Sequence, residues 1–312
     1  MAVLLVVVGL AALVVGAELL VRGGAAVAAR LGIPPLVIGL TVVSIGTSLP
    51  ELAIGVDAAL RDAGPLAVGN IAGTNIVNLL LILGLSAAIA PLAIAVRTIR
   101  FEVPVVAAVS VLVLVLALDG SLSRGNGILL VAIALLYTAA VVALAVRDPA
   151  RTAVDDRPER EGRLVVDVAI LVAGLAVVVV GADWLVRGAV ELAASLGVSE
   201  VVIGLTVVAI GSSAPELVTT VVSTLRGDRD IAVGNLIGSS VYNLALILGI
   251  TSWVAPLEVT QDLIRVDLPL MAFVAILLLP VFASGRRVSR AEGTAFVAAY
   301  VLYLGVVLTV RT

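Results

Sequence analysis

Two glutamates stand in stretches that are otherwise too apolar for charge. Glu51 and Glu216 each follow a proline, Pro50 or Pro215, and each closes a run of small residues rich in hydroxyls. The runs are Ser44-Ile-Gly-Thr-Ser-Leu-Pro-Glu51 and Ala209-Ile-Gly-Ser-Ser-Ala-Pro-Glu216. A proline inside a helix donates no backbone hydrogen bond and its ring pushes away the carbonyl four residues earlier. Gly46 and Gly211 lower the cost of irregular backbone at the same place. The strings therefore predict a helix bent or partly unwound near its middle, with carbonyl oxygens released beside the hydroxyls of Thr47, Ser48, Ser212 and Ser213. Facing each other, two such strings form an all-oxygen cage with two formal negative charges. That chemistry suits a hard cation: Ca²⁺ takes about six to eight oxygen ligands, and Na⁺ fits as well.

A second wall comes from Thr74 with Asn78 and from Ser239 with Asn243. A spacing of four puts each pair on one helix face. Their neutral oxygens suit weakly held, exchangeable ions. A lone Pro-Glu would as readily mark a kink with a hydrogen-bonded glutamate; its recurrence with hydroxyl-rich flanks favours ligation. Asn78 and Asn243 have an alternative use in joining helices. Asn70 and Asn235, each after a glycine near a span start, read as caps or packing groups. Glu18 with Arg22, and Asp183 with Arg187, read as helical pairs at a spacing of four. Asp57 has Val222 at its matching position and reads as a flank or vestibule residue.

The elements that must hold these residues are membrane helices. Of the 312 residues, 62% are hydrophobic and 13% charged, against about a quarter charged in soluble domains. Apolar runs of the ~20 residues needed to cross a bilayer recur about ten times. They fall near 2–29, 35–60, 66–90, 101–119, 125–146, 164–194, 200–225, 231–254, 265–284 and 289–310. They are continuous Val/Leu/Ala/Ile blocks rather than the alternating segments of a barrel, and helices satisfy their own backbone in lipid. The expected fold is all-α and integral to the membrane, with ten transmembrane helices. Residues 1–21 lack a basic leader, so a cleaved signal peptide is not expected.

The chain contains two copies of one unit. A shift of 165 residues superposes GAELLVRG (16–23) on GADWLVRG (181–188) and IGLTVVSIGTSLPEL (38–52) on IGLTVVAIGSSAPEL (203–217). It also superposes AVGNIAGTNIVNLLLILG (67–84) on AVGNLIGSSVYNLALILG (232–249). The first copy spans 1–146, with its motif at about 38–84, and the second 164–312, with its motif at about 203–249. Between them lies the charged segment 147–163, read as a cytoplasmic linker. Five spans per copy is odd, so the second copy should enter the membrane upside down, the inverted-repeat plan of many secondary transporters. Arginines agree. With both termini outside, Arg30, Arg97, Arg100, Arg226, Arg229, Arg286, Arg287, Arg290 and five linker arginines face the cytoplasm, and Arg61, Arg124, Arg265 and Arg311 face out.

At these motifs the sequence resembles the cation/calcium exchanger superfamily, in its prokaryotic sodium/calcium exchanger branch. GTSLPE (46–51), GSSAPE (211–216), GNIAGTNIVN (69–78) and GNLIGSSVYN (234–243) are similar to the two α-repeats of that family. The resemblance implies that the second, third, seventh and eighth spans form the ion-binding core, over which the long first and sixth spans slide. It implies that Glu51 and Glu216 ligate Ca²⁺ and share in Na⁺ binding. Thr47 and Ser212, beside Ser48 and Ser213, would add oxygens. The carbonyls of Ser44 and Ala209, with Thr74 and Ser239, would line Na⁺ sites, and Asn78 and Asn243 would face the centre. Asn243, where potassium-dependent members carry an acid, implies no K⁺ requirement. The linker has no room for the family's long calcium-sensing region.

The expected function is secondary antiport of Na⁺ against Ca²⁺ by alternating access, with Ca²⁺ extruded from the cell; in a prokaryote the membrane is the plasma (inner) membrane. The alternative in the same fold is H⁺/Ca²⁺ (or other divalent cation) antiport, disfavoured by the absence of His. A cation channel fits less well, because channels are commonly built around an oligomeric axis. No Lys is present to build a P-loop, and Ser-His and Ser-Lys catalytic pairs are impossible, so neither a pump nor an enzyme is expected. Cys is absent, which excludes disulfides and thiolate metal sites. No cofactor, nucleic acid or obligatory protein partner is expected; the partners are the two ions and the bilayer.

Overall fold

The computed structural model describes residues 1–146, 164–196 and 209–311. The expected linker and the start of the seventh span, 200–208, lie outside the described residues. The helices are α1 Ala2–Leu31, α2 Pro35–Thr47, α3 Leu49–Leu60, α4 Gly64–Ile89, α5 Thr98–Leu116 and α6 Arg124–Val146. In the second half come α7 Leu164–Ser195, α8 Ala209–Ser212, α9 Ala214–Arg226, α10 Arg229–Val254, α11 Leu263–Gly285 and α12 Arg290–Arg311. Eight of these are long and apolar enough to cross a membrane; the bent pair α2–α3 makes a ninth. Two short ladders depart from the all-α expectation. β1 Leu92–Ala93 pairs antiparallel with β4 Arg287–Val288, and β2 Ser121–Leu122 with β3 Leu257–Glu258. Each ladder joins a loop of one half to a loop of the other.

Burial separates an inner layer from an outer one. In the most apolar stretch of α10, 94% of residues are buried, and in α4 78%; α1 and α7 reach 28% and 22%. α4 and α10 therefore run through the middle, with lipid-facing helices around them.

Glycines set the closest crossings. α1 carries Gly9, Gly16 and Gly23, and α7 carries Gly174, Gly181 and Gly188, one every seven residues. A Cβ on Gly9 would meet Leu185 N at 2.5 Å, on Gly16 Val178 N at 2.7 Å, and on Gly23 Leu171 N at 2.6 Å. As the position on α1 rises, its contact on α7 falls, so the two helices are antiparallel and touch backbone to backbone. Small residues allow this approach where lipid supplies no hydrophobic drive to pack. Gly39 and Gly234 do the same where α2 crosses α10: their Cβ atoms would meet Ile231 O at 2.9 Å and Leu36 O at 2.8 Å. That crossing brings the Ser44–Glu51 string against α10.

The proline strings break the helices as expected, at one residue each. Ser48 (φ −86°, ψ 7°) separates α2 from α3, and the axis bends by 41°. Ser213 (φ −86°, ψ 9°) separates α8 from α9. The sequence reading did not foresee π-helical segments. They include Gly39–Val43, Val77–Ile82 and Asn243–Ile247. Such segments are frequent at functional sites, and here two of them start at or next to Asn78 and Asn243.

Candidate cation site

Breaking at Ser48 and Ser213 restarts the helices at Leu49 and Ala214, which puts Glu51 and Glu216 in the first turns of α3 and α9. A carboxylate is favoured there by the free N–H groups and the positive end of the helix dipole. Both glutamates are fully buried, and they act on each other electrostatically. Ser48 Oγ donates across the two halves to Glu216 Oε1 at 3.2 Å.

The other expected oxygens are buried as well. Ser44, Thr47, Ser48, Ser213, Asn78, Ser239 and Asn243 are fully buried, and Thr74 and Ser212 nearly so. Thr47 Oγ1 lies 3.5 Å from Ser239 Oγ, and Ser239 Oγ donates to Ser44 O at 3.5 Å. Ala209 opens the described part of the second string. Both carboxylate oxygens of Glu51, Glu216 Oε2, both amide atoms of Asn78 and of Asn243, Thr74 Oγ1 and Ser213 Oγ have no side-chain hydrogen-bond partner among the described residues. A buried polar atom left unpaired costs about 1–3 kcal/mol, and a charge more. The donor set is carboxylate, amide and hydroxyl oxygen, which fits Na⁺ or Ca²⁺. Among the described residues no group of three or more His, Cys, Asp or Glu comes together, so the site's formal charge rests on the two glutamates.

Of the two expected uses of Asn235, cap or packing group, the structure removes the first and keeps the second. Asn235 lies well inside α10, where it caps nothing. Thr47 Oγ1 donates to its Oδ1 at 3.2 Å, and its Nδ2 donates to Thr220 Oγ1 at 3.1 Å. A hydroxyl that gives its proton to an amide keeps its lone pairs for a further partner. Thr220 belongs to a buried polar stripe on α9 with Thr219, Ser223 and Thr224. The matching positions in α3 are Gly55, Ile54, Ala58 and Ala59, so the two halves of the site are not equivalent. The repeat alignment carried that signal. Glu18 corrects the sequence reading. It pairs with Arg226 of α9 instead of Arg22, whereas Asp183 and Arg187 pair at 2.8 Å as expected.

A multi-pass helical fold that buries two carboxylates and a set of unpaired oxygens defines a membrane transporter of cations. Known proteins agree. The family described as sodium/calcium exchanger protein matches residues 1–143 and 166–309. The chain is 39% identical over 282 residues to inner membrane protein YrbG of Escherichia coli K12, covering 88% of this chain and 86% of that one. It is 31% identical over 338 residues to sodium/calcium exchanger MaX1 of Methanosarcina acetivorans, covering 96% and 97%. A solved structure of the sodium-calcium exchanger NCX_Mj, soaked with Na⁺ and Ca²⁺, superposes with a TM-score of 0.85 at 29% identity over 97% of each chain. The chain belongs to the sodium/calcium exchanger family. It is an integral membrane antiporter of cations, not an enzyme.

Proposed function

We propose that this chain exchanges Na⁺ for Ca²⁺ by alternating access, letting Na⁺ in to drive Ca²⁺ out, without K⁺. The observation that supports this reading is the burial of Glu51 and Glu216 together with a set of oxygens that have no hydrogen-bond partner among the described residues. Two carboxylates are neutralised by one Ca²⁺ or by two Na⁺, so the two loads compete for one cage. Competition combined with access from one side at a time is sufficient for exchange. Glu51 and Glu216 ligate Ca²⁺ and share in Na⁺ binding. Thr47, Ser48, Ser212 and Ser213 supply hydroxyl oxygens. Thr74, Ser239 and the carbonyls of Ser44 and Ala209 serve Na⁺, and the amides of Asn78 and Asn243 close the centre. An amide at 243 adds no third charge for K⁺ to balance.

In this reading the chain has ten spans in two inverted copies, 1–146 and 164–312, both termini outside and 147–163 cytoplasmic. The antiparallel crossing of the equivalent helices α1 and α7 supports the inversion. Binding tests the shared cage. Calorimetric titration of the purified protein with Ca²⁺ should give an apparent affinity that weakens steeply as Na⁺ rises and is indifferent to K⁺ at equal ionic strength. An affinity equally insensitive to Na⁺ and K⁺ contradicts a cage shared by the two loads.

A further inference from the structure

Two equivalent clefts of the molecule are in different states. α1 lies along α9, where Leu13 and Ala17 form one cluster with Ala214, and Val218 and Val222 pack against it. The equivalent helices are α7 and α3, and among the described residues they make no comparable contact. Leu49, the counterpart of Ala214, is 41% exposed against 4%. Ala53 and Asp57 are exposed, whereas their counterparts Val218 and Val222 are partly covered. One cleft is shut and the other is open.

Charged groups follow the same division. On the shut side Glu18 of α1 pairs with Arg226 in the last turn of α9. Their counterparts are Asp183 and Arg61, which do not pair with each other. Asp183 instead holds Arg187 of its own helix at 2.8 Å, and Arg61 holds Asp57 of its own helix at 2.9 Å. Resting partners are unequal between the sides. Glu18 has Arg22 four residues on, but Arg226 has Val222 where Arg61 has Asp57. Arg226 therefore has no acid one turn back to rest on when Glu18 leaves, which favours the state with the α1–α9 cleft shut. This also gives Asp57, unmatched in the repeat, something to do.

We propose that Glu18–Arg226 and Asp183–Arg61 are alternating latches that position α1 and α7 against the core. The first is closed in this state, and the second closes when the first parts. Its setting is the alternating access proposed above. Each latch is partly exposed, so each shifts the balance of states by about two- to fivefold, the scale of exposed ion pairs. A switch needs that weakness, because a strong pair would trap one state.

The chain has no cysteine, so single thiols report cleanly. Ala53→Cys and Val218→Cys occupy equivalent positions facing the two clefts. In nanodiscs, with both faces reached by a charged methanethiosulfonate, the Ala53→Cys thiol should react faster than that of Val218→Cys. Glu18→Gln should slow the first and speed the second by about two- to fivefold, and Val222→Asp should do the same by giving Arg226 a resting partner. Asp183→Asn should shift both reporters the opposite way. The charge swap Glu18→Arg with Arg226→Glu should restore the original ratio, which a variant that merely loosens packing would not. The proposal is overturned if Glu18→Gln and Asp183→Asn move the reporters in the same direction or leave them unmoved. The readout needs no transported ion, so its failure is distinct from failure of the exchange reading.

Discussion

Glu216→Gln should abolish Ca²⁺ transport while the protein still folds. Glutamine keeps the shape of the side chain and an oxygen within reach of Ser48, whose hydroxyl donates to Glu216 at 3.2 Å. What it removes is one of two negative charges in a fully buried site. At ~4 Å and an effective dielectric of ~20, one unit charge attracts another by about 4 kcal/mol, twice that for a divalent ion. Even half of the single-charge figure, after desolvation, weakens Ca²⁺ binding by about thirtyfold. Glu51→Gln should be as severe, because no side chain among the described residues hydrogen-bonds the Glu51 carboxylate, and the substitution removes the other of the two charges. The measurement is ⁴⁵Ca²⁺ uptake by proteoliposomes, together with calorimetry on the same preparation. Wild-type flux in either variant contradicts the site. Lost flux with an unchanged melting temperature supports it.

Gly181→Leu should disable the protein for a different reason. A Cβ on Gly181 would lie 2.8 Å from Leu13 N and 3.0 Å from Gly9 O. Those atoms are backbone and cannot turn aside, so α1 and α7 must part. Overpacking of this kind costs about 1–3 kcal/mol where side chains yield, and more where they cannot. The expected result is a lower melting temperature in detergent and a loss of transport of at least about tenfold. Gly305→Leu is the control: a Cβ there meets nothing within 4 Å, and it should melt and transport like the parent. Equal behaviour of the two variants would mean that the glycine seam does not hold the outer pair together.

Much of this was legible in the sequence because the repeat writes each message twice. The breaks beside Pro50 and Pro215, the buried glutamates and the burial of Asn78 and Asn243 all follow from motifs aligned at one offset. What escaped depends on partners that are distant in sequence. Glu18 has Arg22 at the helical spacing of four, and the local rule hid Arg226, more than two hundred positions away. Asn235 follows a glycine near the expected start of a span and reads as a cap or a packing group; only the crossing of α2 over α10, which brings Thr47 to it, decides between them. Glu102 and Asp267, equivalent residues near the starts of α5 and α11, sat where an interfacial charge would pass without notice. Both are buried: Glu102 pairs with Arg97 at 2.8 Å, and Asp267 accepts from Tyr303 at 3.1 Å. The π-helical segments follow from no residue type or spacing in the sequence.

The proposed exchange requires that a Na⁺ gradient drive Ca²⁺ through this chain. The most direct measurement is ⁴⁵Ca²⁺ uptake into proteoliposomes loaded with Na⁺ and diluted into Na⁺-free buffer, with internal pH clamped and K⁺ absent. Uptake should require internal Na⁺, collapse when Na⁺ is equal on both sides, and not be restored by K⁺. Uptake driven by a pH gradient and indifferent to Na⁺ would contradict the proposed exchange and assign the two glutamates to protons instead.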